Sequence, residues 1–566
     1  MPVNMPQGQP PSPPAEHPVC IFAVDAREGG ARLDRFLAGR LRDSGLSREK
    51  IKRHIKEGKV LVNGSPEHSP KRALCPGDTV RVQAEPAPTA LRPEEGALDI
   101  VYRDATLAVL NKPAGLTVHP APGRPAGTLA HRLLAHFPEL ASQEGFRPGI
   151  VHRLDKDTSG LMLAALTEQC RLALAGQFAR HEVRKEYLAL VHGVPVRHEE
   201  VIEAPIGRHP TRKTRMAVTP AGKPAKSARR TLYADHKGRF SLQAIRIFSG
   251  RTHQVRVHMQ HIGHPLLGDA VYGLPSDSRE SGKSSCTAPR QMLHAWKLAF
   301  VHPSPPEDGG LTPGAPEVPR GDRFSFCCPP PGDFTDSVRR CLSSGLKVVV
   351  TGSPGCGKSL LLQIFRDAGF PVFSADAEVA RLYAPGGDGH RLLRAHFGDR
   401  FVPGDTAPVN KAALGAAMRE EDSLRREIEA LLHPLVWQAN TAFWQAHETG
   451  SPLAVAEVPL YFESGRNSGG KTPDSPTLIG VHCPLAVRRE RLANNRGWSE
   501  ETIAGMEAWQ WPEEKKMRAC DIVLDNTGSI EDFTGKAALL IQELHALRER
   551  RLEDSVWQVE RLWSCE

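Results

Sequence analysis

The sequence predicts a multidomain chain: a small basic α/β unit, an α+β region of short strands, and an α/β region at the C-terminal side. Three observations support this. The 566 residues exceed what one hydrophobic core supports, since cores stop growing near roughly 250–300 residues. The net charge of +8 divides unevenly, at about +14 up to residue 345 and about −6 beyond it. Two chemically unlike motifs, "GIVHRLDKDTSGLML" and "VVVTGSPGCGKSLL", lie on either side of that divide.

A hydrophobic fraction of 40% and a charged fraction of 24% are those of an ordinary globular protein. No apolar run approaches the roughly 18–20 residues that span a bilayer. The opening "MPVNMPQGQPPSPPAEHP" has no basic or apolar leader segment and reads as a disordered tail over 1–27. The eleven cysteines include no CxxC and no metal-ligand spacing, so reduced thiols and a cytoplasmic location are expected. A basic front half suits a polyanion; an acidic back half does not.

Residues 28–90 form the small unit. Ile51 and Ile55 share one face of a helix whose other faces carry Lys50, Lys52, Arg53 and Lys56. "VLVNGSP" predicts a strand entering an Asn63-Gly64 turn, with "PGDTVRV" as the return strand. After the linker "EPAPTALRPEEGAL", the region 91–342 alternates short strands and turns. Its Pro- and Gly-rich stretch from about 303 to 333 precedes a last helix in "DFTDSVRRCLSSG". A buried strand opens the third region, 346–547, and 548–566 reads as a charged helical tail.

Within "GIVHRLDKDTSGLML", Asp155 is a carboxylate at a strand end with Arg153 and Lys156 as basic neighbours that keep it ionised. The same charges would also serve a plain surface turn. "KEYLALVHG" places Lys185 and Tyr187 on one strand. "GRTHQVRVHMQHIGHPLLGD" predicts a helix ending at Gly263-His264-Pro265, with Arg251 and Thr252 at its start. The spacing of His119, His152, His253 and His264 fits no metal site.

These segments, with "LNKPAGLTVHP" and "QMLHAWKLAFVHP", resemble the large-subunit ribosomal RNA pseudouridine synthases. "ARLDRFL" and "LSREKIKRHIKEGKVLVNG" resemble the small RNA-binding domain first named for a ribosomal small-subunit protein. The resemblance implies an α+β mixed-sheet catalytic domain behind a small α/β RNA-binding domain, with structured RNA, ribosomal RNA in particular, as substrate and no cofactor. It implies Asp155 as nucleophile or base, Arg153 as the group replacing the flipped nucleotide, Tyr187 stacked on the base, and Arg251 paired with Asp155.

"VVVTGSPGCGKSLLLQIF" is a strand, a Gly-rich loop and a helix start, the context a P-loop demands. Gly352, Ser353, Pro354, Gly355, Cys356, Gly357, Lys358 and Ser359 form the phosphate cradle. Lys358 reaches the β/γ oxygens of ATP and Ser359 is the Mg²⁺ ligand. Asp376 stands at a following strand end as a candidate base, and Arg488, Arg491 and Arg496 lie on a lid helix able to close over phosphates. The order of "LLHPLV", "VPLYFESG" and "DIVLDNTG" behind this loop resembles the dephospho-CoA kinases, which implies an α/β P-loop domain with a parallel sheet. The family's DAD motif stands here as Ser374-Ala375-Asp376. The expected protein is therefore bifunctional, a pseudouridine synthase and a dephospho-CoA kinase. The alternative keeps the synthase and makes the P-loop domain a weakly catalytic, ATP-binding regulatory module. A membrane partner is not expected.

Overall fold

The computed structural model describes residues 19–41, 48–83, 91–121, 124–142, 148–212, 214–274, 286–304, 323–463, 472 and 474–565. Of the expected tail over 1–27, residues 1–18 lie outside the described residues, whereas Val19–Ala23 form a strand and so are not a tail; residues 85–90 of the linker 85–98 and the stretch 305–322 also lie outside the described residues. The chain divides into two compact units, one of residues 1–156, 162–180 and 302–322, the other of 157–161, 181–301 and 323–566.

The first unit begins with β1 (Val19–Ala23), α1 (Leu33–Arg40), α2 (Arg48–Lys56), β2 (Val60–Val62), β3 (Ser65–Pro66) and β4 (Thr79–Gln83). The strands form an antiparallel sheet in the order β1-β4-β2-β3. Ile51 and Ile55 of α2 join Leu33, Leu37, Val60 and Val80 in its core, as the helical spacing predicts. Asn63 and Gly64 both adopt positive φ, the requirement of a two-residue hairpin turn. The immediate return strand is the short β3, while "TVRVQ" (β4) pairs with β2 from its other side. Asn63 explains this: its Nδ2 donates to Asp78 Oδ1 at 2.8 Å and its Oδ1 accepts from Thr79 N at 2.8 Å, stitching the turn to the start of β4.

β5 (Asp99–Arg103) and β6 (Leu107–Lys112) form an antiparallel pair, followed by α3 (Leu129–His136), β7 (Ser159–Ala165) and α4 (Glu168–Ala179). Asp104, in the β5–β6 turn, accepts from His302 Nε2 at 2.7 Å, from Thr106 N and Oγ1, and from Leu107 N. Burial alone would raise its carboxyl pKa, but these bonds hold it at about 2. A folded value below the ordinary 3.8 means the stabilisation is complete above about pH 4 and is lost as pH falls towards 2. That contribution is about 2 kcal/mol. Thermal denaturation followed from pH 5 to pH 2 should show this loss, and Asp104→Asn, less stable at neutral pH, should flatten it.

In the second unit, β8 (Arg184–His192), β9 (Glu199–Glu203), β10 (Ile206–Arg208), β11 (Met216–Val218), β12 (Lys226–Ala234), β13 (Phe240–Ile247), α5 (Gln254–His261), β14 (Leu293–Val301), β15 (Arg323–Cys327) and α6 (Gly332–Leu342) come first. β15-β14-β8-β13-β12-β9 is antiparallel throughout, and Ser159 and Gly160 of β7 pair parallel with β14, so the sheet is mixed. β15 falls at the end of the Pro- and Gly-rich stretch, where no strand is apparent from composition; "RFSFC" alternates Phe324 and Phe326 onto Phe300.

β16 (Leu346–Thr351), α7 (Lys358–Asp367), β17 (Val372–Ser374), α8 (Ala375–Leu382), α9 (Asp388–Phe397), α10 (Lys411–Glu420), α11 (Asp422–Ala446), β18 (Leu453–Glu457), β19 (Thr477–His482), α12 (Leu485–Arg496), α13 (Glu500–Ala508), α14 (Glu513–Ala519), β20 (Ile522–Asp525) and α15 (Ile530–Glu560) complete the unit. The five strands are parallel, in the order β17-β18-β16-β19-β20. "VVV" in β16 is apolar throughout because a parallel sheet is covered on both faces. Val348 and Val350 enter one core cluster and Val349 the other. α15 runs unbroken through position 548. Its end is not a solvated tail, since Val556, Val559 and Trp563 are buried.

Cys327 and Cys565 form a disulfide across 238 residues, whereas the other nine cysteines are thiols. This corrects the expectation of thiols throughout. Distant cysteines carry no spacing signal, and only the docking of the C-terminal helix brings them together. Among the described residues no helix is long and apolar enough to cross a membrane.

Candidate active sites

Asp155 lies in a half-exposed loop that turns directly into β7. Within the first unit this loop is folded back on its own strand: Ala165 N donates to Gly149 O at 2.9 Å and Leu163 N to His152 Nε2 at 2.8 Å. His152 stacks on Phe178 at 4.7 Å between ring centroids. Leu154 is buried, whereas Arg153 is exposed and Asp155 half-buried. Lys112 is the brace. Its buried ammonium donates to Pro113 O, Leu116 O and Lys156 O at 2.7, 2.9 and 2.9 Å, the last being the carbonyl next to Asp155.

In the second unit Arg290 holds the residues just beyond. It pairs in a two-pronged fashion with Asp333 and donates to Asp157 O at 3.0 Å and Ser159 Oγ at 3.3 Å. Gly160 has φ +111, and a Cβ there would lie 2.3 Å from Ala295 O, so no other residue fits the turn into the sheet. Tyr187 is buried on β8, opposite Ile245 on one side and Ala295 on the other. Two residues before it, burial lowers the Lys185 amine to about 8, and a Cβ on Gly250 would lie 3.9 Å from that amine.

The next residue, Arg251, sits three positions before α5, which starts at Gln254 rather than at Arg251 itself. Arg251 N donates to Gln254 Oε1 at 3.1 Å and Arg251 Nε to Pro224 O at 3.0 Å. Gln254 is locked in turn by Ser249 Oγ, Lys226 O and Ser227 Oγ. Three of the histidines noted in the sequence contact the scaffold: His152 stacks on Phe178, His253 meets Tyr272 OH at 2.9 Å and His264 meets His192 O at 2.8 Å. No metal-binding group of His, Cys, Asp and Glu occurs among the described residues.

The P-loop joins β16 to α7 beneath a cleft of about 410 Å³. Of the eight loop residues expected to hold phosphates, Pro354, Gly355, Gly357, Lys358 and Ser359 line it. Gly352, Ser353 and Cys356 instead lie buried beneath the loop and shape it. Lys358 Nζ donates to Gly352 O and Ser353 O at 3.0 and 3.2 Å. Gly357 has φ +104, and a Cβ there would strike Asn526 Nδ2 at 2.1 Å; that amide holds Cys356 O at 2.8 Å.

Asp376, in the first turn of α8, faces the cleft beside Glu457. Burial raises the Glu457 carboxyl pKa, and Ser374 Oγ donates to it at 2.9 Å. Arg491 and Arg496 line the cleft as expected. Arg488 does not. It is buried between Glu507 (2.6 Å) and Glu513 (2.9 Å) and also donates to Cys483 O, so it braces the lid rather than facing phosphates.

A family model described as RNA pseudouridylate synthase matches residues 106–261, and one described as dephospho-CoA kinase matches residues 346–532. An uncharacterized RNA pseudouridine synthase of Chloroflexus aurantiacus is 46% identical over 285 residues, which is 50% of this chain and 86% of that protein. The chain belongs to the RNA pseudouridine synthase family. Ribosomal large subunit pseudouridine synthase D of Escherichia coli K12 is 41% identical to this synthase, over 50% of this chain and 86% of that one. The C-terminal half adds a dephospho-CoA kinase domain to the synthase. Among solved structures, Human RNA Pseudouridylate Synthase Domain Containing 1 is 29% identical (TM-score 0.30), covering 42% of this chain and 86% of that one. Dephospho-CoA kinase from Campylobacter jejuni is 22% identical (TM-score 0.28), covering 35% and 97%.

Sequence reasoning placed Lys112, with Lys156 and Lys185, only as residues that steady phosphates or the fold, and it missed Arg290 as a support of the synthase loop. Arg290 stands beside "QMLHAWK", but nothing in a linear pattern shows that its partners are Asp333 and Asp157. Lys112 of "LNKPAG" signals a buried cation only once its three carbonyls are visible. In Lys112→Met those carbonyls lose their donor inside the protein, which should cost about 2–3 kcal/mol. Chemical denaturation should register that loss, together with a lower pseudouridine yield from a loosened Asp155 loop.

Proposed function

We propose that this enzyme isomerises uridine to pseudouridine in RNA, large-subunit ribosomal RNA in particular, and transfers a phosphoryl group from ATP to the 3′-hydroxyl of dephospho-CoA. What carries the reading is that one chain holds both a braced aspartate loop of the synthase family and a P-loop cleft with facing carboxylates and arginines. In this reading residues 28–90 bind RNA, 91–342 catalyse the isomerisation and 346–547 form the kinase. The enzyme acts in the cytoplasm. A reducing compartment disfavours the Cys327–Cys565 bond, so non-covalent contacts hold the C-terminal helix there.

Isomerisation breaks the bond from C1′ to N1, turns the base and joins C5 to C1′, with no change of oxidation state. Asp155 supplies the carboxylate, as nucleophile at the sugar or as base at C5. The exposed Arg153 occupies the place of the extruded nucleotide and Tyr187 packs on the target base, with Arg251 as the guanidinium that the family resemblance assigns to that aspartate. Lys112 and Arg290 act on backbone carbonyls of the motif and position it.

In the kinase, Lys358 leaves its loop carbonyls for the β- and γ-phosphate oxygens, and Arg491 and Arg496 neutralise the transferring group. Asp376 accepts the proton of the acceptor hydroxyl. The Ser359 hydroxyl and the carboxylates of Asp376 and Glu457 are hard oxygen donors on one cleft and fit Mg²⁺. Bound there, the ion supplies charge neutralisation on the β- and γ-phosphates.

The test is one preparation of the whole chain assayed twice, with uridine-containing ribosomal RNA and with ATP plus dephospho-CoA. Formation of both pseudouridine and CoA is expected. Pseudouridine without CoA above background would return the P-loop domain to a regulatory role.

A further inference from the structure

The second unit contains both the antiparallel part of the synthase sheet and the whole P-loop domain, and one helix belongs to both. α15 begins at the nucleotide cleft, where Ile530 is part of the wall. Its first half buries Phe533, Ala537, Leu540 and Leu544 in the same cluster as Val348 and Val350 of β16. With 31 residues it extends about 46 Å. At its far end Val559, with Trp563 just beyond, enters a different cluster, built from Leu188 and Leu190 of β8, Phe240 and Leu242 of β13, Trp296 of β14 and Phe334 of α6.

The polar contacts agree with that burial. Trp296 Nε1 donates to Trp563 O at 3.1 Å, and Trp563 meets the Phe334 ring edge-on at 5.7 Å. Arg339 of α6 makes two bonds to Glu553, at 2.6 and 2.8 Å, and Arg548 donates to Ser343 Oγ and Ser344 O. Lys237, in the β12–β13 turn, pairs with Glu448 and Asp474 of the P-loop domain. Two modules joined only by a linker and a polar interface move and unfold separately. Here the synthase core lacks a tryptophan-sized plug unless the kinase's last helix is in place.

We infer that the nucleotide cleft and the synthase sheet form one cooperative folding unit, so that a nucleotide held at the P-loop stabilises the pseudouridine-forming half. This rests on the reading of the cleft as a nucleotide site. A ligand that binds only the folded state lowers the population of every globally opened form by the factor 1 + [L]/Kd. The most protected amides of a cooperative unit exchange only through such opening.

Hydrogen exchange of the full chain with and without Mg²⁺ and ADP, under reducing conditions so that the disulfide plays no part, tests the inference. At ADP a hundredfold above its Kd, the slowest amides of β16 and those of β8 and β13 should slow by the same factor, about a hundredfold. Slowing in β16 with no change in β8 and β13 overturns the inference and leaves the nucleotide site standing. No slowing anywhere overturns both. In Trp563→Ala the slowing should persist in β16 and shrink in β8 and β13, whereas equal slowing in that variant would remove α15 as the carrier. Should that variant not fold, the comparison in the unaltered chain still decides.

Discussion

Asp155→Asn is expected to abolish pseudouridine formation, by at least about 10⁴-fold, while RNA binding should stay within about twofold. Asparagine keeps the size of the side chain and one acceptor oxygen but has neither the charge nor the basicity that bond exchange at C1′ and C5 requires. The position is half-exposed in a loop whose shape is set elsewhere, by Leu154, by the Lys112 ammonium on Lys156 O and by the backbone bonds of Gly149 and His152. Substitution there leaves those contacts untouched. The check is to quantify pseudouridine in a defined RNA after single-turnover incubation, with binding followed separately by filter retention. Product at a tenth of the unaltered rate or more would take Asp155 out of the mechanism.

Lys358→Ala should lower phosphoryl transfer to dephospho-CoA by about 10²–10³-fold or more. At equal temperature below melting, pseudouridine formation should not change. In the free enzyme the ammonium is held by Gly352 O and Ser353 O; these bonds pre-position it at the mouth of the phosphate cradle and leave with it when the side chain is truncated. The loss therefore falls on nucleotide affinity and on turnover together. A coupled assay for CoA formation, run beside the RNA assay, measures both effects. If the kinase kept near-full turnover, the phosphates would have to be held by Arg491 and Arg496 alone. The same variant should also erase the ADP-dependent slowing of amide exchange across the second unit.

Motifs confined to a short stretch were readable in the sequence because their physics is local. Asn63-Gly64 forms the turn its φ preferences predict. The loop from Gly352 to Ser359 joins a buried strand to a helix start because three glycines and a lysine at that spacing have few other uses. α5 was harder, since Val255, Val257 and Met259 satisfy a strand period and Val255, Met259 and Ile262 a helical one. The helix forms, and its start moves to Gln254 because that side chain ties Ser249, Lys226 and Ser227 together.

What resisted reading depended on partners far along the chain. Arg488 has the look of a phosphate-binding lid residue until Glu507 and Glu513 are seen on either side of it. Residues 548–566 have a charged composition, and charge counts cannot show that Val556, Val559 and Trp563 all turn inward. Lys112 and Arg290 are ordinary basic residues in a basic half, distinguished only by the carbonyls they hold.

The sequence by itself determined that the motifs of two families share this chain, because the aspartate motif and the Gly-rich loop are each written in contiguous residues. Only the tertiary structure decided which cations support backbone rather than substrate, and that the kinase's last helix completes a core in the synthase half. Burial and hydrogen-bond partnership arise when distant segments pack together, and no local period or spacing encodes them.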